Sequence, residues 1–168
     1  MAEPILEWRG DYLEVRREDG WEYAARVRNL GAAVMLALTD AREVVLVEQY
    51  RVPLGARTIE LPAGLVGDHA PGESFAQSAA RELTEETGFS AAKWQDLGVF
   101  ATSPGMSSET FQLFKATGLT REHPGGGVGD EAITVHVVAL DTLGTWLAAR
   151  RAEGLVIDSR LVALLGLV

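Results

Sequence analysis

The 168-residue chain has no cysteine. Disulfides, thiolate metal sites and cysteine nucleophiles are thereby excluded. It also lacks a run of about eighteen apolar residues, so no membrane span is expected. Its first twenty residues interleave Glu3, Glu7, Arg9, Asp11, Glu14, Arg16 and Arg17. That leaves no apolar stretch of the kind a signal peptide needs, and a cytoplasmic location is the expectation. Basic residues are in short supply: 15 Lys and Arg stand against 24 Asp and Glu, a net charge of −9. A broad nucleic-acid-binding surface does not go with that sign, because phosphate backbones select basic patches. An anionic substrate would have to be held through cations or a few locally focused arginines. No repeat or linker-like stretch divides the chain, and its length suits one domain with one core.

What is present begins with alternation. Tyr12 to Arg16 and Trp21 to Val27 alternate apolar and polar side chains around Asp19-Gly20, the pattern of a hairpin. Ala32 to Leu38 is continuously apolar and reads as a buried central strand. Val44 to Val47 returns the chain, and Gly55 and Pro62 interrupt the next stretch. The period then lengthens. Phe75, Ala76, Ala79, Ala80, Leu83 and Thr87 fall on one helical face, and Gly88 suits a left-handed C-cap. Trp94 to Ala101, Thr110 to Ala116 and Ile133 to Leu140 again read as strands. His123 to Gly129 is a glycine-rich connection expected to be mobile. Asp141 and Asp158 are expected to cap two closing helices. Strands followed by helices on both sides predict an α/β/α layered domain with a mixed central sheet over 31–168, preceded by antiparallel strands in 1–30, the whole forming a single domain.

The helix carries the chemistry. Glu82, Glu85 and Glu86 stand at i, i+3 and i+4 and share a face. Each pair of such charges costs on the order of 4 kcal/mol at ~4 Å and an effective dielectric of ~20, before screening. A hard divalent cation turns that repulsion into attraction, and carboxylate oxygens suit Mg²⁺ or Mn²⁺. Taken alone, the glutamates are better explained as a solvated acidic face on an amphipathic helix.

Their surroundings decide between the two. Gly67, Glu73, Arg81, Glu82, Leu83, Glu85, Glu86, Gly88 and Phe89 match every specified position of the Nudix signature. The chain therefore resembles the Nudix hydrolases, and within them the ADP-ribose pyrophosphatase and nucleotide-sugar hydrolase subgroup. The resemblance implies that Glu82 and Glu86 are the principal ligands of Mg²⁺ or Mn²⁺, that Glu85 assists, and that Arg81 pairs with Glu73. Upstream, Glu60-Leu61-Pro62-Ala63-Gly64 looks like the segment leading into the box in that subgroup. Eight residues separate Gly64 from Glu73, where the pattern has five. That implies a three-residue insertion within Val66 to Pro71, with Gly64 in the structural place of the box glycine. By the same resemblance the Ala63 carbonyl is a further metal ligand.

Gln49-Tyr50-Arg51, Pro104-Gly105 and Gly154-Leu155-Val156-Ile157-Asp158 also look like the subgroup, so the resemblance runs from about Val34 to the C-terminus. It assigns Pro104 and Gly105 to the substrate side. Arg51 suits bidentate binding of a phosphate, or equally a structural pair with Glu60. Water must be activated by a base. The acids in order of expectation are Glu131, Glu109 and Asp130. Gly125 to Gly127 would let their loop close over substrate, or would serve as spacer. The implied reaction is cleavage of a nucleoside diphosphate derivative such as ADP-ribose or a nucleotide sugar. The implied assembly is a homodimer with the 1–30 strands as its arm. Two alternatives are a Nudix enzyme for oxidised nucleoside triphosphates or dinucleotides, and a non-catalytic nucleotide sensor.

Overall fold

The N-terminal alternation folds into β1 (Ile5–Arg9), β2 (Leu13–Glu18) and β3 (Trp21–Arg26), a three-stranded antiparallel sheet in that order. Asp19 and Gly20 join β2 to β3 with φ of 47° and 84°, the left-handed pair that a tight hairpin requires. The computed structural model describes residues 3–28, 30–67, 72–129 and 131–164. Asp130, His69 and most of the expected insertion lie outside the described residues. Among the described residues, no helix is long and apolar enough to cross a membrane.

The apolar run becomes β4 (Ala32–Ala37), and its two covered faces explain why no polar residue interrupts it. Val34 and Leu36 point into a core with Leu46, Ile59, Leu113, Leu143, Leu147 and Leu161. Ala33, Met35 and Ala37 point into a second core with Ala79, Leu83, Phe89 and Phe114. A strand covered on both faces reads as uniformly hydrophobic. The helix α1 (Phe75–Thr87) lies over one core, and α2 (Leu143–Ala152) and α3 (Ser159–Leu164) lie over the other. The α/β layering is as predicted.

The sheet between the helices divides in two. One half runs β7 (Ala63–Leu65), β4, β9 (Thr110–Arg121), β8 (Phe89–Ala101), with β4 and β9 parallel and the other pairs antiparallel. The other runs β10 (Thr134–Ala139), β5 (Glu43–Arg51), β6 (Ala56–Glu60), β11 (Val156–Ile157), with only β6 and β11 parallel. Both halves are thus mixed.

Two local expectations need correcting. Asp141 does not cap α2. It sits within a 3₁₀ turn over Leu140–Thr142, largely exposed, and faces Arg42 at 3.7 Å. The apolar face of α1 is also rotated: Phe75 is exposed, whereas Ser78, Ala79, Leu83, Glu86 and Thr87 are buried. Asp158 does cap α3, its Oδ1 accepting the Arg160 amide at 2.8 Å.

Candidate active site

Helix α1 is fixed at both ends. Ser74 and Gln77 form a reciprocal capping box at its start. At its end Gly88 adopts φ 74°, and a Cβ there would lie 1.9 Å from the His123 carbonyl oxygen. The glycine-rich segment then satisfies the carbonyls that a helix terminus leaves unpaired. Gly126 N–H donates to the Glu86 carbonyl at 2.9 Å, and Gly127 N–H to the Glu85 carbonyl at 3.1 Å. A Cβ at Gly125 would lie 2.5 Å from the Thr87 carbonyl carbon. The glycines permit this close approach, so the loop expected to be mobile is docked on the helix. They are not spacer.

The docked loop delivers Glu131. Its carboxylate accepts the Val128 amide at 2.9 Å and stands near enough to Glu86 to act on its charge. Glu86 is only 5% exposed, and its Oε2 accepts the Ala63 amide at 3.0 Å. Burial pushes the Glu86 carboxyl up to about 8. The charges of Glu82 and Glu131 add to this, while the Ala63 amide and Arg51 oppose it.

Glu82 and Glu85 are marshalled by Arg81, whose Nη1 donates to each at 2.9 Å. The remaining face of Arg81 forks onto Glu73 at 2.9 and 3.1 Å, forming the pair that the signature implies. These carboxylates hold the Arg81 guanidinium far above its usual range, the Glu73 hydrogen bonds most of all. Gly64 lies directly behind Glu82: a Cβ there would sit 2.0 Å from the Glu82 carboxyl carbon. Gly67 instead occupies a left-handed turn at φ 81°.

Among the described residues, no three His, Asp or Glu side chains converge into a closed metal cage. The arrangement is an open one, with Glu82 and Glu86 beside the Ala63 backbone. Mg²⁺ commonly takes one or two carboxylates and completes its shell with water and phosphate oxygens. The buried Glu86 carboxylate feels the like charges of Glu82 and Glu131, and the side-chain donors are all hard oxygens. The residues fit such an ion.

The other candidates are hydrogen-bonded to partners outside this group. Glu109 is gripped by Arg26 of β3 at 2.6 and 2.9 Å. Pro104 and Gly105 belong to a turn that docks on β3, through Ala24 N–H to the Met106 carbonyl and Ser108 N–H to the Ala24 carbonyl. Arg51 forks onto Glu60 at 2.7 and 2.6 Å, yet it remains close enough to Glu86 for each to feel the other's charge. Thr58 and Arg160, which complete the Glu60 contacts, are not legible as site residues in the sequence. The only local signal for Arg160 is its place just after the expected cap.

The NUDIX domain family model matches residues 29–155. A methanol dehydrogenase activator from Bacillus methanolicus is 36% identical over 126 residues, covering 74% of this chain and 66% of the relative. An ADP-ribose pyrophosphatase from Mycobacterium tuberculosis is 43% identical over 93 residues, covering 55% and 44%. Each match spans less than two thirds of the relative's own length. A crystal structure of an ADP compounds hydrolase superposes with a TM-score of 0.66 at 23% identity, over 88% of this chain and 84% of that one. That likeness is one of fold.

Proposed function

This chain belongs to the NUDIX domain family, and on that premise we propose that it hydrolyses the diphosphate bond of a nucleoside diphosphate derivative, ADP-ribose or a nucleotide sugar, in a Mg²⁺- or Mn²⁺-dependent reaction. The products are a nucleoside monophosphate and a sugar phosphate. The observation that carries the reading is the buried Glu86 carboxylate, which feels the like charges of Glu82 and Glu131 and is hydrogen-bonded by the Ala63 amide. A binding module has no use for so repulsive a cluster. The mycobacterial relative, an ADP-ribose pyrophosphatase by name, supports the substrate class.

Glu82, Glu86 and the Ala63 carbonyl are assigned as ligands, with Glu85 assisting. A divalent cation there supplies charge neutralisation to the diphosphate and acidity to water. Arg81 keeps Glu82 and Glu85 turned to a common side of the helix, and Glu73 fixes Arg81 in turn. Glu131 receives the proton of the attacking water as the bond from phosphorus to the bridging oxygen breaks. Its place on a loop docked to α1 favours it over Glu109, whose carboxylate is committed to Arg26. Arg51 and the Pro104-Gly105 turn are assigned to the substrate.

The 1–30 segment is assigned as the arm of a homodimer. Ile5, Leu6, Trp8 and Trp21 on it are each at least half exposed, an apolar surface that suits a second protomer.

A panel of nucleotide sugars, ADP-ribose, dinucleotides and nucleoside triphosphates, assayed with Mg²⁺ and with Mn²⁺ and followed by product identification, tests the reading. Monophosphate and sugar phosphate are expected. Inorganic pyrophosphate released from a triphosphate would replace it with triphosphate hydrolysis, and inertness towards the whole panel would favour a sensor.

A further inference from the structure

Glu60, at the end of β6, is only 3% exposed, and its two oxygens take four hydrogen bonds. Oε1 accepts from Arg51 Nε at 2.7 Å and from Thr58 Oγ1 at 2.5 Å. Oε2 accepts from Arg51 Nη2 at 2.6 Å and from Arg160 Nη2 at 3.3 Å. An ionised carboxylate offers about four such sites, so this one is saturated. Its plane is therefore set by neighbours on two different elements, and Arg51 must follow that plane.

Arg160 is itself locked. It reaches Asp158 Oδ2 through Nε at 2.7 Å and through Nη2, its backbone amide donates to Asp158 Oδ1, and its guanidinium lies over the Phe111 ring at 5.9 Å. Asp158 is tied to β6 by its own amide, which donates to the Ile59 carbonyl at 3.0 Å. The parallel pairing of Val156 and Ile157 with Thr58 and Ile59 brings the start of α3 alongside Glu60. The result is a chain of alternating charge, Asp158–Arg160–Glu60–Arg51, leading from the C-terminal helix to the edge of the acidic site.

Arg51 is the outward end of that chain. Its fork on Glu60 uses Nε and one face of Nη2, and among the described residues Nη1 has no hydrogen-bond partner. Its side chain keeps 42% of its surface exposed. Glu60 foremost, with Glu86 and Asp158 further off, holds its guanidinium above the usual range, which attests how near the acidic site is. An arginine held by one edge presents the other in a fixed direction, which suits a phosphate better than a mobile side chain.

We propose that Arg160, braced by Asp158, is a positioning residue that aims Arg51, through Glu60, at the diphosphate of the substrate. The inference rests on the pyrophosphohydrolase reading above and adds the C-terminal helix to the groups that set substrate affinity. Loss of an aimed but uniformly used contact raises KM and spares kcat.

The test uses the full chain with Mg²⁺ and ADP-ribose, or the best substrate of the panel. It compares Arg160→Met, Arg160→Lys, Arg51→Met and the double variant Arg51→Met/Arg160→Met. The Nε–H resonance of Arg51 is recorded alongside. Arg160→Met is expected to raise KM roughly tenfold, the scale of one charge-assisted hydrogen bond. Its kcat should stay within about twofold, and the slowly exchanging Arg51 resonance should be lost. Arg160→Lys, which keeps the charge and loses the fork, should fall between the two. The double variant should be no worse than Arg51→Met, because both changes remove one function. Multiplying effects in the double variant, or an Arg51 resonance unchanged in Arg160→Met and Arg160→Lys, would overturn the proposal. Inactivity of the wild-type protein on the whole panel would instead remove the pyrophosphohydrolase reading, and the resonance would still decide whether Arg160 orders Arg51.

Discussion

The Ala63 amide donates to the Glu86 carboxylate at 3.0 Å, which joins β7 to the buried turn of α1 at the proposed metal site. That amide and the more distant Arg51 charge are little compensation for a carboxylate that is almost wholly buried and feels the charges of Glu82 and Glu131.

Metal binding near pH 7 should therefore release protons. Glu86 titrates at about 8 in the metal-free fold, against an ordinary 4.5, and must ionise to act as a ligand. Calorimetric titration with Mn²⁺ in buffers of different ionisation enthalpy should show release at pH 7 and little at pH 9. Equal release at both would contradict the burial of Glu86.

The same shift sets how stability depends on pH. Glu86 binds its proton more tightly folded than unfolded. Its stabilising contribution is complete below about 4.5 and is lost as pH rises through about 8. The metal-free protein should lose on the order of a few kcal/mol between pH 5 and 9 from this group, and Mg²⁺ should restore part of it. Glu86→Gln should flatten the dependence in denaturant melts and lower turnover at least ~100-fold.

Gly64→Ala should damage the metal site and spare the fold. Its φ is not left-handed, so alanine is tolerated by the backbone, but the new methyl would overlap the Glu82 carboxylate. Metal affinity should fall roughly 10- to 100-fold. Gly144→Ala on α2, with open space around it, is the matched control. It should stabilise by about 0.5–1 kcal/mol and leave affinity unchanged. Similar affinity losses in both variants would rule out the steric account.

Gly125→Ala should uncouple the loop from the helix. The methyl would meet the Thr87 and Glu86 backbone, and φ of 76° adds strain. Hydrogen exchange at the Gly126 and Gly127 amides should accelerate, and kcat should fall more than KM rises as Glu131 loses its seat. Unaltered exchange would show that the docking does not depend on glycine.

Light scattering should find a dimer, and Trp8→Glu should convert it to monomer. Trp8 is 57% exposed, so the substitution tests association without disturbing a core. A wild-type monomer would dismiss the arm assignment.

Local pattern reveals a good deal of this molecule. The apolar run of β4, the Asp19-Gly20 hairpin, the span of α1 and its Gly88 stop are all set by neighbours in sequence. The acidic cluster is visible for the same reason, since Glu82, Glu85 and Glu86 share two turns. What escapes is tertiary. Glu60 and Arg160 are a hundred residues apart and meet only because β11 pairs with β6. The burial of Glu86 depends on which way α1 rolls against β4 and β7, and Phe75 and Ala76 mislead by extending the apolar stripe past the region that packs. The docking of Gly125 to Gly127 cannot be read from glycine content, which is as compatible with slack as with close contact.

The grip of β3 on the Ser103–Ser108 turn has one more implication. Ala24 is bonded on both sides to that turn, and Arg26 holds Glu109 just beyond it. The N-terminal sheet and the turn are thus hydrogen-bonded into one unit. If the arm pairs two protomers and Pro104 and Gly105 meet substrate, as proposed, association and substrate selection draw on the same few hydrogen bonds.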